Sequence, residues 1–199
     1  MESTIKKIGD KIEGKDQVPK FKSQLAKNKS AQMMFKTALR NHLDLSTLAD
    51  KKASTMLNIN TLIITIALPF LLPKIEEYPN LIFPGIILLV TCIVSIFYAT
   101  LVTRPHKMQG STSMEDIKSG KANLFFFGNF FKMNFEEYSK GINLTLKNQS
   151  NLDESITRDL FMSGKTLGAK YQKLRICYFV FITGIILASI SFLALSFLN

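Results

Sequence analysis

Apolar and polar positions alternate in two distinct ways along this chain. Three stretches carry no charge at all: 53–73, 78–103 and 176–199, of 21, 26 and 24 residues. A hydrocarbon layer about 30 Å thick is crossed by roughly 20 helical residues at 1.5 Å each. Each stretch therefore predicts a membrane-spanning helix, at 53–73, 83–103 and 176–198. Ahead of the first and third, apolar residues recur at helical spacing. Met34, Ala38, Leu45, Ala49, Ala53 and Met56 share one face, and so do Ile156, Leu160, Leu167, Tyr171, Leu174 and Tyr178. No Pro or Gly interrupts Ser30 to Leu68. A helix over 31–52 is thus expected to run straight into the first span, with Pro69 and Pro73 bending and ending it. Arg104-Pro105 closes the second span. The fold class that follows is an all-α membrane protein with three transmembrane helices, two of them extending into a cytoplasmic helical stalk.

The remaining segments are less regular. Residues 1–30 are polar and Lys-rich, and read as a separate basic N-terminal segment. Between the second and third spans, 104–174 forms a Phe-rich and helical region. Its first part, 105–122, contains Gly110, Ser111, Ser113, Ser119 and Gly120 and is expected to be a loop. Phe125, Phe126, Phe127, Phe130 and Phe131 are too bulky for water, so they must pack on a helix or lie in the lipid interface. A short helix is expected from Phe135, and Asn151 with Glu154 suggests a capping pair for the last helix.

Charge adds orientation. Of the 25 Lys and Arg residues, 12 lie in 1–52, one in 74–82 and 12 in 104–175. This bias places the N-terminus and 104–175 in the cytoplasm, and the hairpin turn and Asn199 outside. The first 52 residues hold no apolar signal-peptide core, so 53–73 is expected to act as an uncleaved anchor in a bacterial inner membrane. Cys92 and Cys177 sit in or beside apolar runs and form neither a disulfide framework nor a metal spacing.

Candidate chemistry is sparse. His42 and His106, the only histidines, lie near no carboxylate or thiol cluster. Gly164-Lys165-Thr166 resembles the end of a phosphate loop, but the required first Gly is replaced by Asp159 and a helical pattern runs through it. The sequons at Asn143 and Asn148 fall on the cytoplasmic side. No catalytic residue, metal ligand or cofactor is expected, and the chain reads as a non-enzyme that binds no nucleic acid polymer.

Two sets of polar residues are more informative. Asp50, Ser54, Asn58, Thr61 and Thr65 recur every three or four residues and draw one polar stripe into the first span, while Asn60 lies on another face. Such residues are costly against lipid. They serve either helix–helix hydrogen bonding, or a pore lining or oligomer rearrangement. Small residues four apart, Thr91, Ser95 and Ala99, then Gly184 and Ala188, fit close helix contact. Basic groups gather at the membrane boundary: Lys51, Lys52, Arg104, Lys170, Lys173 and Arg175. They either anchor to headgroups or, as Arg40, His42, Lys51 and Lys52 from one helix with Lys165, Lys170 and Arg175 from the other, form a pocket for a phosphate-bearing ligand. Asp50, Lys51 and Lys52 are the residues expected to bind or couple.

Taken in order, several blocks resemble the Pycsar transmembrane effector family of bacterial antiphage defence. They are Ala49-Asp50-Lys51-Lys52-Ala53-Ser54 with Asn60, Thr103-Arg104-Pro105, Asn123-Leu-Phe-Phe-Phe-Gly-Asn-Phe130, Asp159, and Lys165-Thr-Leu-Gly-Ala-Lys-Tyr-Gln-Lys-Leu-Arg175. The likeness runs from about residue 35 to the C-terminus. It implies a signalling ligand, cyclic CMP or cyclic UMP, made by a separate cyclase. It also implies a response that impairs the inner membrane and causes abortive infection. A lone chain with three spans is too small for a wide pore, so a homo-oligomer in the lipid bilayer is expected. The alternative reading is a membrane-anchored scaffold that binds a cytoplasmic partner without channel activity.

Overall fold

A computed structural model of the chain describes residues 28–198 apart from His106 and Lys107. The basic N-terminal segment, up to residue 27, and His106 thus lie outside the described residues. Among the described residues there is no strand. The described residues divide into two compact units, Met33–Met108 with Asp159–Asn199, and Gln109–Arg158.

The first unit is the apolar bundle. Helix α1 spans Lys29–Glu77, α2 spans Ile82–Thr103, and the last helix, here α5, spans Gln149–Leu198. All three are long and apolar enough to cross a membrane. At 49 and 50 residues, α1 and α5 are each about 74 Å long, more than twice the hydrocarbon thickness. Each therefore carries an apolar half and a charged half, as the sequence pattern predicts.

Helix α1 starts where the Asn28 side chain accepts from the Ala31 N–H at 3.1 Å. It does not end at its prolines: it runs through Pro69 and Pro73 to Glu77. Both prolines are exposed and each removes only one backbone donor. The helix stops two residues before Pro79, which forces Tyr78 out of helical conformation (φ −130°, ψ 79°). A single 3-10 turn, Pro79–Leu81, then leads into α2.

The bundle packs through small side chains at helical spacing. Ala49, Ala53 and Met56 of α1, Ala99 and Val102 of α2, and Leu174 and Cys177 of α5 form one buried cluster. Leu57, Tyr98, Tyr171, Tyr178 and Phe181 border it. Lateral contacts set the directions. His42 meets Gly164 and Asp50 meets Lys170, so α1 and α5 run parallel. Asn60 meets Ser95 and Leu71 meets Gly85, so α2 returns antiparallel.

The second unit corrects two sequence expectations. Residues 105–122 are not all loop, because α3 spans Met114–Lys118. Its cap is Ser113, whose hydroxyl accepts from the Asp116 N–H at 3.1 Å and donates to the Asp116 carboxylate at 2.7 Å. The last helix begins at Gln149 rather than at an Asn151 cap. Asn148 lies just outside and its side chain accepts from the Asn151 N–H at 3.3 Å. Helix α4, Phe135–Lys147, starts at the expected residue with Asn134 as its cap. Ile117, Leu124 and Thr145 are buried together with Gly141, where a Cβ would stand 3.0 Å from Ile117 Cδ1.

The Phe-rich segment is clamped by Gly110, whose N–H donates to Gly128 O at 2.9 Å and whose carbonyl accepts from the Lys132 N–H at 2.7 Å. Gly110 has φ +82°, which a side chain would strain. Of the phenylalanines, Phe130 stacks on Tyr138 at 4.6 Å. Phe125, Phe126, Phe127, Phe131 and Phe135 are exposed.

Candidate functional site

The charged halves of α1 and α5 meet through an ion pair. Lys170 Nζ stands 2.8 Å from both Asp50 oxygens and 3.0 Å from Ser46 Oγ. The Lys170 side chain is 12 % exposed and that of Asp50 41 %. Removing one partner should therefore cost more than at an exposed pair (about 0.2–1 kcal/mol) and less than at a fully buried one (about 3–5 kcal/mol). One residue on, the Tyr171 hydroxyl donates to the Leu45 carbonyl at 3.3 Å. About two turns from the ion pair, the His42 ring packs over Gly164, whose missing side chain makes room for it; a Cβ there would lie 3.4 Å from His42 Cε1. The His42 Nδ1 is buried and has no hydrogen-bond partner among the described residues.

Beside this contact lies a pocket of about 600 Å³, lined by Lys52 of α1 and by Gly168, Tyr171, Gln172, Leu174, Arg175 and Tyr178 of α5. The volume is in the usual range for small-ligand sites. On α5 the lining repeats every three or four residues from Gly168, which is one helix face. Gly168 leaves the wall open, since nothing stands within 4 Å of a Cβ placed there. The set offers two cations, two phenols and an amide. Neither Lys52 nor Arg175 has an ion-pair partner among the described residues. Their charge therefore stands available to an anion, and the tyrosine rings can stack on a flat group.

The sequence-predicted binding residues separate into three sets. Lys52 and Arg175 come together in the pocket. Asp50 and Lys170 satisfy each other, and His42 belongs to the same helix contact. Arg40 and Lys51 are exposed and join neither cluster. Sequence reasoning missed Gly168 and Gln172 as pocket residues, and placed Tyr171 and Tyr178 only on a packing face. Their register with Arg175 at i−4 and i+3 was the available signal. Gly164-Lys165-Thr166 and Asp159 lie inside α5 and form no phosphate loop. Among the described residues no group of three metal-ligating side chains is present.

Deeper in the bundle the three helices share a polar node. The Asn60 amide nitrogen donates to the Met56 carbonyl at 2.7 Å and to Ser95 Oγ at 2.9 Å. Ser95 Oγ in turn lies 3.4 Å from Cys177 Sγ, and the thiol donates to the Ser95 carbonyl at 3.3 Å. The Asn60 Oδ1 is left without a partner among the described residues, although Asn60 is fully buried. Above it, Thr91 packs on Gly184, where a Cβ would stand 2.6 Å from Thr91 Cβ. In contrast, Ser54, Asn58, Thr61 and Thr65 are all exposed, on the face of α1 turned away from α2 and α5.

Fold and pocket together define a helical membrane protein with a cationic, aromatic recess where its charged and apolar halves meet. The chain belongs to the Pycsar effectors: the family described as Pycsar effector protein domain (PycTM) matches residues 33–196. Membership places the protein in cyclic-pyrimidine antiphage defence, downstream of a cyclic nucleotide signal made by a separate cyclase. No curated protein and no solved structure matches the chain.

Proposed function

We propose that the chain is a non-enzymatic effector in the bacterial inner membrane that binds cyclic CMP or cyclic UMP directly and answers by impairing that membrane, causing abortive infection. The observation that carries this reading is that Lys52 and Arg175, neither with an ion pair among the described residues, share one pocket with Tyr171 and Tyr178. A cyclic pyrimidine nucleotide has one phosphodiester charge and one flat base, and those groups match the cations and the rings. Gln172 supplies an amide for the base edge. The Lys and Arg distribution supports a cytoplasmic position for this pocket, the N-terminus and residues 104–175, the side on which a cyclase product is found.

The pocket takes residues from both α1 and α5, and Tyr171 also bonds to Leu45 across the same helix contact. A bound anion drawing Lys52 and Arg175 together would therefore act on the α1–α5 contact held by Asp50 and Lys170. It can shift the protein between quiet and permeabilising arrangements only through different affinities for the two. The exposed Phe125, Phe126, Phe127, Phe131 and Phe135 favour a second reading, a scaffold whose Phe-rich unit holds a cytoplasmic partner.

The test is thermal stability of the detergent-purified protein against cyclic CMP, cyclic UMP, cyclic AMP, cyclic GMP and linear UMP. A ligand at about 100 times its dissociation constant adds about 2.7 kcal/mol if it binds only the folded state. Stabilisation by one cyclic pyrimidine is expected. It should be lost in Lys52→Ala and Arg175→Ala, each weakening binding about 10- to 100-fold, as removal of a charged hydrogen bond does. A shift that survives both substitutions would assign the nucleotide to another site.

A further inference from the structure

In α1, Ser54, Asn58, Thr61 and Thr65 lie at spacings of four, three and four. At 100° per residue they occupy an arc of roughly 60°. The opposite side of the helix is the one already covered, by Ala49, Ala53, Met56 and Asn60 against α2 and α5. At 1.5 Å per residue, Asn58 sits about 9 Å and Thr65 about 20 Å along the helix beyond Lys52, well inside a hydrocarbon layer about 30 Å thick. Thr65 satisfies its hydroxyl on the Thr61 carbonyl at 2.9 Å. The Asn58 amide has no partner among the described residues. In lipid, where no water replaces the missing bonds, leaving that amide bare costs several kcal/mol.

We infer that this stripe is the contact between copies of the chain, with the α1 helices of neighbouring subunits facing one another across the assembly axis. Three features favour a second copy as the occupant. A carboxamide both donates and accepts, so Asn58 is complementary to Asn58 of an identical neighbour related by symmetry. The stripe itself carries no charge, so its self-contact is not repulsive within the apolar layer. Toward the charged end, Arg40 and Asp44 are exposed one turn apart on the flank of the same arc, and neither has an ion pair among the described residues. Parallel copies can pair Arg40 of one with Asp44 of the next. The inference rests on the reading of the chain as an oligomer and not on the identity of its nucleotide.

The experiment is cross-linking of the full chain in native membranes without added nucleotide. Cys92 and Cys177 are buried, so the wild type serves as background. Asn58→Cys is expected to give a disulfide-linked dimer on mild oxidation. Ile93→Cys and Ile186→Cys, on exposed faces of α2 and α5, are expected to give about tenfold less. Single-molecule photobleaching in nanodiscs supplies the second reading: Asn58→Leu should weaken association about tenfold, whereas Asn58→Gln should preserve the subunit count. Equal cross-linking at all three positions, a cross-link only to a protein of different mass, or an unchanged count in Asn58→Leu would overturn the inference. Because nucleotide is omitted, each of these failures leaves the ligand reading intact.

Discussion

Asn60 shows how much one residue inside a membrane bundle can matter. Its amide nitrogen ties α1 to α2 through Ser95, and its Oδ1 has no partner among the described residues. Replacement by Leu removes one interhelical hydrogen bond, worth roughly 0.6 kcal/mol, together with the unpaired acceptor. Asn60→Leu is therefore expected to accumulate in membranes with a melting temperature near that of the wild type. Asn60→Asp has the same shape but introduces a charge costing about 2.5–3.5 kcal/mol near the centre of a span. It should fall sharply in membrane abundance on quantitative immunoblots, and equal levels of the two variants would show that the node is not buried as described. Asn58, two residues earlier, has the same side chain and the opposite surroundings. That contrast cannot be seen in composition and depends entirely on which face of α1 its neighbours cover.

At the scale of elements, the bundle depends on close approach more than on bulk. Between α2 and α5 the contact is so tight at Gly184 that a Cβ would stand 2.6 Å from Thr91 Cβ, so the helices must move apart to accept one. Gly184→Ala is expected to destabilise the protein by about 1–3 kcal/mol, the usual cost of overpacking. Thr91→Gly combined with it should restore much of the loss in a thermal melt. No recovery in the double variant would mean that some other contact is responsible. The existence of the long helices was legible, their ends less so. The long helices follow from uncharged runs and apolar faces, and α4 from its first residue. The misses were local. Pro69 and Pro73 read as a helix end, yet only Pro79 ended it, through its effect on Tyr78. The Ser113–Asp116 capping pair starts α3 inside a stretch whose Gly and Ser residues read as loop.

For the whole molecule, the proposed function requires that a cytoplasmic ligand change what the membrane lets through. Co-expression with a pyrimidine cyclase is expected to depolarise cells carrying the wild type, read by a potential-sensitive dye. Cells carrying Lys52→Ala with Arg175→Ala should keep their potential at the same protein level. Depolarisation in both would mean that the pocket is not the sensor, and depolarisation in neither would favour the scaffold reading. The Asp50–Lys170 pair is the point at which such a signal would pass between α1 and α5, because both residues border the pocket in sequence and hold the two helices in register.

The fold class, the three apolar helices and the family follow from the order of residues, because hydrophobic length, charge placement and ordered blocks are properties read along the chain. That order also singles out Lys52, Arg175 and the polar positions of α1. How these residues are used depends on packing in three dimensions. Lateral packing rotates each helix to a definite face, and that rotation buries Asn60 while leaving Asn58 bare. The same rotation pairs Lys170 with Asp50, leaves Lys52 and Arg175 without an ion pair among the described residues, and brings Tyr171, Gln172 and Tyr178 to the wall of one pocket. Helical periodicity says which residues share a face, and contact with the neighbouring helices decides which face is covered.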